Sequence, residues 1–165
     1  MKSPRIEHLY VSAGHNFFGH HERPPGTHAM EERAEVVCVA GRGIEGDRFF
    51  DYKEDYKGQI TFFAGEVFDD LCAELNLMGK TPAALRRNVI TRGDDLTEWY
   101  ACEFEIQGVR FLGMGECKPC YWMDRALGPG AEAALKGRGG LRAKILSSGS
   151  LVVNAVEQTK ALVRA

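Results

Sequence analysis

Two thiols stand three residues apart in Cys117-Lys118-Pro119-Cys120, directly after the run 109–115, which reads as a β-strand. A thiolate is both a nucleophile and a soft metal ligand. A pair held at a strand end can therefore carry sulfur, shuttle electrons or bind a metal. Lys118 lies between the two sulfurs, Arg125 follows, and a helix beginning near Pro119 would aim its positive end at Cys120. Each of these favours the ionised thiol. The alternative is that both cysteines merely pack beneath the strand. A structural zinc site takes four ligands, and the chain has no second CxxC and no HxxxH, so His15, His20, His21 and His28 would have to complete one.

Other segments carry groups suited to an oxyanion. Arg86-Arg87-Asn88 closes a predicted helical turn and enters a strand, where two guanidinium forks and an amide could converge on a phosphate; a solvated basic patch is the competing reading. Gly137-Arg138-Gly139-Gly140 offers exposed backbone N–H groups and one fork donor, or simply a tight connection. Asp47 and Arg48 place a carboxylate beside a guanidinium after the turn-rich stretch 41–47, as part of a site or as a local ion pair.

The elements that must position these groups are short. Strands are predicted at 5–12, 34–40, 59–63, 88–91, 103–106 and 109–115, and a last pair at 141–147 and 150–156 around Ser148-Gly149. Gln107-Gly108 marks a hairpin by its two-residue spacing, although Asn or Asp is the more usual companion of Gly there. Val67, Phe68, Leu71, Cys72 and Leu75 fall on one face of a helix over 66–76. Thr81-Pro82 opens a short helical turn, and 119–127 and 131–136 read as two further helices. The stretch 13–30 loses all periodicity and reads as a long loop. Trp99 and Tyr100 read as loop packing rather than a base-stacking platform, because no basic stripe accompanies them. The pattern is mainly β with peripheral helices and disfavours a thioredoxin fold, in which CxxC follows the first strand of a βαβ unit.

Composition bounds the function. At 165 residues the chain fits a single domain, 1–165, that needs no disulfide to fold. Five cysteines are an odd number, and Cys38 and Cys72 sit in apolar runs as core residues. A formal net charge of −2 gives no electrostatic case for a nucleic acid or an anionic membrane as partner, so any anion site must be local. No apolar run reaches the roughly 20 residues of a membrane span, and no signal-peptide core follows Met1, so a cytoplasmic location is expected.

Taken in chain order, Arg5-Ile-Glu-His-Leu-Tyr-Val-Ser12, Gly43-Ile-Glu-Gly-Asp-Arg48, Arg86-Arg-Asn-Val-Ile-Thr-Arg-Gly93, Gly113-Met-Gly-Glu-Cys-Lys-Pro-Cys120 and Gly137-Arg-Gly-Gly-Leu-Arg-Ala-Lys-Ile-Leu146 resemble the MOSC domain, named for the molybdenum-cofactor sulfurase C-terminal region. The loop 13–30 and the final Val153-Asn154-Ala155-Val156, where a Gly-Asp turn is common, depart from that pattern. The resemblance implies a strongly bent β-barrel-like fold with a cysteine at the end of a barrel strand, and that cysteine matches Cys120. It implies a role in molybdenum-cofactor handling in one of two forms. In the first, Cys120 carries sulfur as a persulfide received from a pyridoxal-phosphate-dependent cysteine desulfurase and passes it to a molybdoenzyme or its cofactor, with Cys117 as the resolving or relay thiol. In the second, Cys120 ligates the metal of a bound molybdenum cofactor (molybdopterin) in a reductase of N-hydroxylated compounds. Arg86, Arg87, Asn88, Arg138, Gly139 and Gly140 are then the candidates for the pterin's phosphate, and Asp47 and Arg48 for orienting the site. No pyridoxal phosphate site of its own is evident, and a zinc-binding or structural interaction module without turnover is the third class.

Overall fold

The structure is a computed structural model that describes residues 4–14 and 28–154. Among the described residues ten strands form two sheets. The larger has the order β2-β1-β6-β5-β9-β8-β7, built from β1 (Arg5–Val11), β2 (Glu31–Arg33), β5 (Ile60–Ala64), β6 (Val89–Arg92), β7 (Glu103–Ile106), β8 (Val109–Glu116) and β9 (Leu141–Ile145). The smaller joins β3 (Glu35–Val39), β4 (Gly43–Ile44) and β10 (Gly149–Val152) in the order β10-β3-β4. The helices are α1 (Gly65–Glu74), α2 (Trp122–Ala126) and α3 (Ala131–Ala134), with 3₁₀ turns at Pro82–Leu85 and Leu96–Trp99. No helix among the described residues is long and apolar enough to cross a membrane.

Alternation along the strands assigns the two faces of the larger sheet. Ile60 and Phe62 of β5 point into one core with Phe104, Phe111, Leu141 and the small sheet's Val36, Cys38 and Leu151. Phe63 and Ile90 point the other way, to Phe68, Leu71, Leu85, Met123 and Leu135 from the helices and turns. This period of two is what a sheet covered on both faces requires. Trp99 stacks on Phe104 with ring centroids 4.5 Å apart, so its packing role holds. β5 and β6 are parallel, and the crossover between them is long enough to carry α1.

The mainly β architecture with peripheral helices is therefore as expected, but closure into a barrel is not found. The larger sheet ends at β2 on one side and β7 on the other, and among the described residues no ladder joins those edges. Strands β3, β4 and β10 pair with one another instead of bridging them. Bending comes from register shifts between Ile6 and His8 in β1 and between Gly113 and Gly115 in β8.

The expected last strand pair is also corrected. β9 lies between β5 and β8, whereas β10 crosses to pair with β3, so Ser148-Gly149 joins two sheets rather than turning a hairpin. The hairpin at Gln107-Gly108 is present, with both residues at positive φ, 52° and 81°, as a two-residue turn between twisted strands demands. Gln107 serves there because its longer amide reaches β10: Nε2 donates to the Val152 carbonyl and Oε1 accepts from the Val152 N–H, each at 2.8 Å.

Candidate functional site

β8 ends at Glu116 and delivers Cys117 to a fixed place. The Cys117 N–H donates to the Gly140 carbonyl at 2.8 Å, just before β9 begins. Gly139 must be glycine because a Cβ there would collide with the Cys117 carbonyl, and Gly140, at φ 106°, must be too because a Cβ there would collide with the Phe62 carbonyl. The CxxC segment is thereby pressed onto the start of β9. Cys117 is buried and Cys120 half-buried. Helix α2 starts at Trp122, later than the predicted 119, and spans only five residues, with the Cys120 carbonyl accepting from the Met123 N–H at 2.9 Å.

Both thiols line one cleft of about 290 Å³. Five cationic side chains share it: Arg48, Arg86, Arg87, Lys118 and Arg142. No carboxylate of the described residues lines it, and Phe49, Tyr56 and Trp122 supply aromatic surface. Arg48 is anchored by an ion pair. Its side chain is 7% exposed and pairs with fully buried Asp47 at 3.2 Å, while Asp47 also accepts from the Ser12 and Phe49 N–H groups. The Arg48 Nε is buried without a hydrogen-bond partner among the described residues. Burial pushes the Arg48 pKa below the ordinary arginine value, against the raising effect of Asp47 and with a smaller lowering effect from Arg87. Arg86 is pushed down to about 10, mainly by burial and next by the charge of Arg48. Burial holds the Tyr56 phenol above its usual range, so it remains protonated at neutral pH.

Several predicted ligands have other work. Arg87 spans three carbonyls, Leu85 through Nη1 at 3.0 Å, Gly139 through Nε at 3.0 Å and Cys117 through Nη2 at 3.1 Å; its guanidinium fastens the cleft wall together. Asn88 accepts from the Thr61 N–H and hydroxyl and donates to the Tyr10 carbonyl at 3.2 Å, which ties β1 and β5 to the start of β6. Arg138 points away from the cleft to Glu74 on α1, at 2.9 Å. The Gly139 N–H donates to Glu116 Oε1 at 3.2 Å, so it presents no donor to an anion. Arg125 does not line the cleft. Arg48 and Arg86 line the cleft with Cys117 and Cys120, and Asp47 is the ion-pair partner of Arg48.

Sequence reasoning missed Arg142, Tyr56, Phe49 and Trp122. Arg142 had a signal: it alternates with buried Leu141 and Ala143 in the strand that follows Gly139-Gly140, so its side chain must leave the core on the side of the thiols. His15, His20 and His21 lie outside the described residues. His28 and Gly14 flank that stretch, and their carbonyls both accept from Arg86 at 3.4 Å. Among the described residues no three His, Cys, Asp or Glu side chains are grouped as metal ligands.

The remaining thiols divide by burial. Cys38 is 0% exposed in the core and its pKa is raised to about 12 by desolvation, whereas Cys102 is exposed. Alkylation of the native protein in mildly alkaline buffer is expected to modify Cys102 readily and to leave Cys38 intact until denaturant is added; peptide mass mapping reads the order.

Relatives agree with this architecture. No curated protein matches the chain. Among solved structures it is similar in fold to the YuaD protein from Bacillus subtilis, with a TM-score of 0.72 at 17% identity over 92% of both chains. It is similar also to YiiM from Geobacillus stearothermophilus, with a TM-score of 0.65 at 16% identity over 92% of this chain and 72% of that one. The sequence pattern of the MOSC domain matches residues 46–158, from the turn before Asp47 to beyond β10 and across both cysteines, and the chain therefore belongs to the MOSC domain family.

Proposed function

We propose that this protein serves molybdenum-cofactor metabolism as a sulfur carrier, with Cys120 as the working atom. The observation that carries the reading is the company the thiols keep: among the described residues, two cysteines share one cleft with five cations and no carboxylate. Such a field draws in anionic donors and acceptors. In the loading step the Cys120 thiolate attacks the outer sulfur of a persulfide on a cysteine desulfurase. The new S–S bond forms at Cys120, the donor's S–S bond breaks, and the donor cysteine leaves as a thiolate, so no net oxidant is needed. Buried Cys117 is the resolving thiol. Its attack on the inner sulfur of the Cys120 persulfide would form the Cys117–Cys120 disulfide and release the outer sulfur as hydrosulfide.

The donor set also fits the molybdenum cofactor. Cys120 supplies a soft ligand for the metal, and Arg48, Arg86, Arg142 and Lys118 supply donors for the phosphate. The unpartnered Arg48 Nε is a buried donor that such an anion would satisfy. The aromatic flank of Phe49, Tyr56 and Trp122 favours a second reading, in which a planar pterin is resident and its metal supplies redox chemistry to an N-hydroxylated substrate. These residues would then hold and orient the group, and Tyr56 would keep a proton available beside it.

Incubation with free cysteine and a cysteine desulfurase, followed by mass spectrometry, is expected to place one added sulfur on Cys120 and none in Cys120→Ser. An unmodified Cys120 under those conditions refutes the carrier reading. Stoichiometric molybdenum and pterin in the purified protein would select the resident-cofactor form instead.

A further inference from the structure

A protein persulfide needs only a narrow route to Cys120, and it gives no work to most of the charge around that thiol. The cleft, at about 290 Å³, lies at the lower edge of the range for small-molecule sites, so whatever enters it whole is small. Its walls resist widening, because Arg87 joins the Leu85, Gly139 and Cys117 carbonyls and the Cys117 N–H is held by Gly140. The cations divide by what engages them. Arg87 is taken up by those carbonyls and Arg48 by Asp47 at 3.2 Å. Arg142 and Lys118 line the same cleft, and no hydrogen bond or ion pair among the described residues engages either side chain. Both stand beside sulfur. Lys118 is flanked by the two cysteines, and Arg142 pairs across the ladder with Gly115, two residues before Cys117. A thiolate and an anionic sulfur donor repel one another, and two unengaged cations at the point of attack offset that repulsion. The matching donor is therefore itself a small anion.

We infer that the cleft takes sulfur directly from a sulfur oxyanion, a sulfane sulfur carried on a sulfonate as in thiosulfate, with Arg142 and Lys118 binding the sulfonate oxygens while Cys120 attacks the sulfane sulfur. The new S–S bond forms at the Cys120 Sγ, the S–S bond of thiosulfate breaks, and its electron pair leaves on sulfite. One dianion enters and one departs, the thiolate charge passes to the persulfide, and no oxidant is consumed. The inference rests on Cys120 as a sulfur carrier and adds a donor that needs no protein partner.

The test uses the full-length reduced protein with thiosulfate, and follows sulfite. Release of about one sulfite per chain is expected without an acceptor, and continuous thiocyanate formation when cyanide removes the outer sulfur and returns the Cys120 thiolate. Cys120→Ser should abolish both. Arg142→Met should slow sulfite release at least about tenfold, with Arg142→Lys recovering part of it. Sulfate should compete with thiosulfate, whereas chloride at the same ionic strength should not. Methyl methanethiosulfonate, a neutral thiol reagent, should modify Cys120 in Arg142→Met at nearly the unaltered rate, which separates anion binding from a loss of thiol reactivity. Thermal unfolding confirms that each variant folds, and the sulfate and chloride comparison on the unaltered protein needs no variant. Loading with cysteine and a cysteine desulfurase runs in parallel. A persulfide from the desulfurase with no sulfite from thiosulfate overturns this inference and leaves the carrier, whereas no sulfur from either donor overturns both. Thiosulfate that binds without releasing sulfite, a rate unchanged in folded Arg142→Met, or equal competition by sulfate and chloride would also overturn it.

Discussion

Replacing Arg87 by methionine is expected to destabilise the fold by about 3–5 kcal/mol, because three buried carbonyls lose a charged donor together and each loss costs roughly 1–3 kcal/mol. The carbonyls belong to Leu85, Cys117 and Gly139, which come from three separate segments of the cleft wall. For a chain of this size the loss lowers Tm by roughly 6–20 °C, readable by calorimetry. Arg87→Lys should recover only part of it, since one ammonium cannot reach three carbonyls arranged around a planar fork. A loss under about 1 kcal/mol in the methionine variant would mean that water replaces the guanidinium, and that Arg87 is available to a ligand after all.

Phosphate is expected to stabilise the protein strongly. At a hundredfold excess over its dissociation constant it should contribute about 2.7 kcal/mol, a rise in Tm of roughly 5–10 °C. The physical basis is the crowding of Arg48, Arg86 and Arg87, in which burial and mutual repulsion of Arg48 and Arg86 oppose the attraction of Asp47. The folded pKa of Arg86, about 10, lies below its unfolded value. A base shifted in that direction disfavours the fold while it is charged, so stability without an anion should rise as pH climbs through about 10. A bound anion removes that penalty at neutral pH by pairing the charge, and its affinity should fall over the same high-pH interval. Arg142→Met tests the site, because no ion pair among the described residues engages Arg142 and its loss should weaken phosphate binding with little effect on the fold. A Tm that ignores phosphate, or that responds equally to chloride, would contradict the cationic cleft as an oxyanion site.

Much of the fold was legible because local pattern and tertiary burial agree. The predicted strand at 5–12 is β1, that at 59–63 is β5 within one residue, and the helical face of Phe68 and Leu71 packs into the second core as its spacing implies. The failures have a common origin in distance along the chain. Whether β10 turns back on β9 or crosses to β3 depends on which partner offers a matching apolar face, and Cys38 and Val36 lie more than a hundred residues from it. The open sheet was unreadable for the same reason, since closure is decided by edges that no local signal describes. In the site, residue type identified the basic positions, but whether a guanidinium faces ligand or main chain is a matter of geometry. Arg87 and Asn88 carry the right chemistry for phosphate and are occupied by carbonyls and a threonine, whereas Arg142, not among the candidate ligands, lines the cleft with both thiols.

The strand order carries a consequence for how the protein is made. β9 sits between β5 and β8, and it is synthesised after both, so the middle of the sheet stays open until residues 141–145 have left the ribosome. Gly140 and Arg142, which complete the cleft wall, arrive in the same late segment. A nascent chain therefore exposes two reactive sulfurs and two bare strand edges before it possesses the pocket that would govern them. Premature termination anywhere between Cys120 and β9 yields a species with the thiols and without their enclosure, prone to edge pairing and a substrate for cellular quality control.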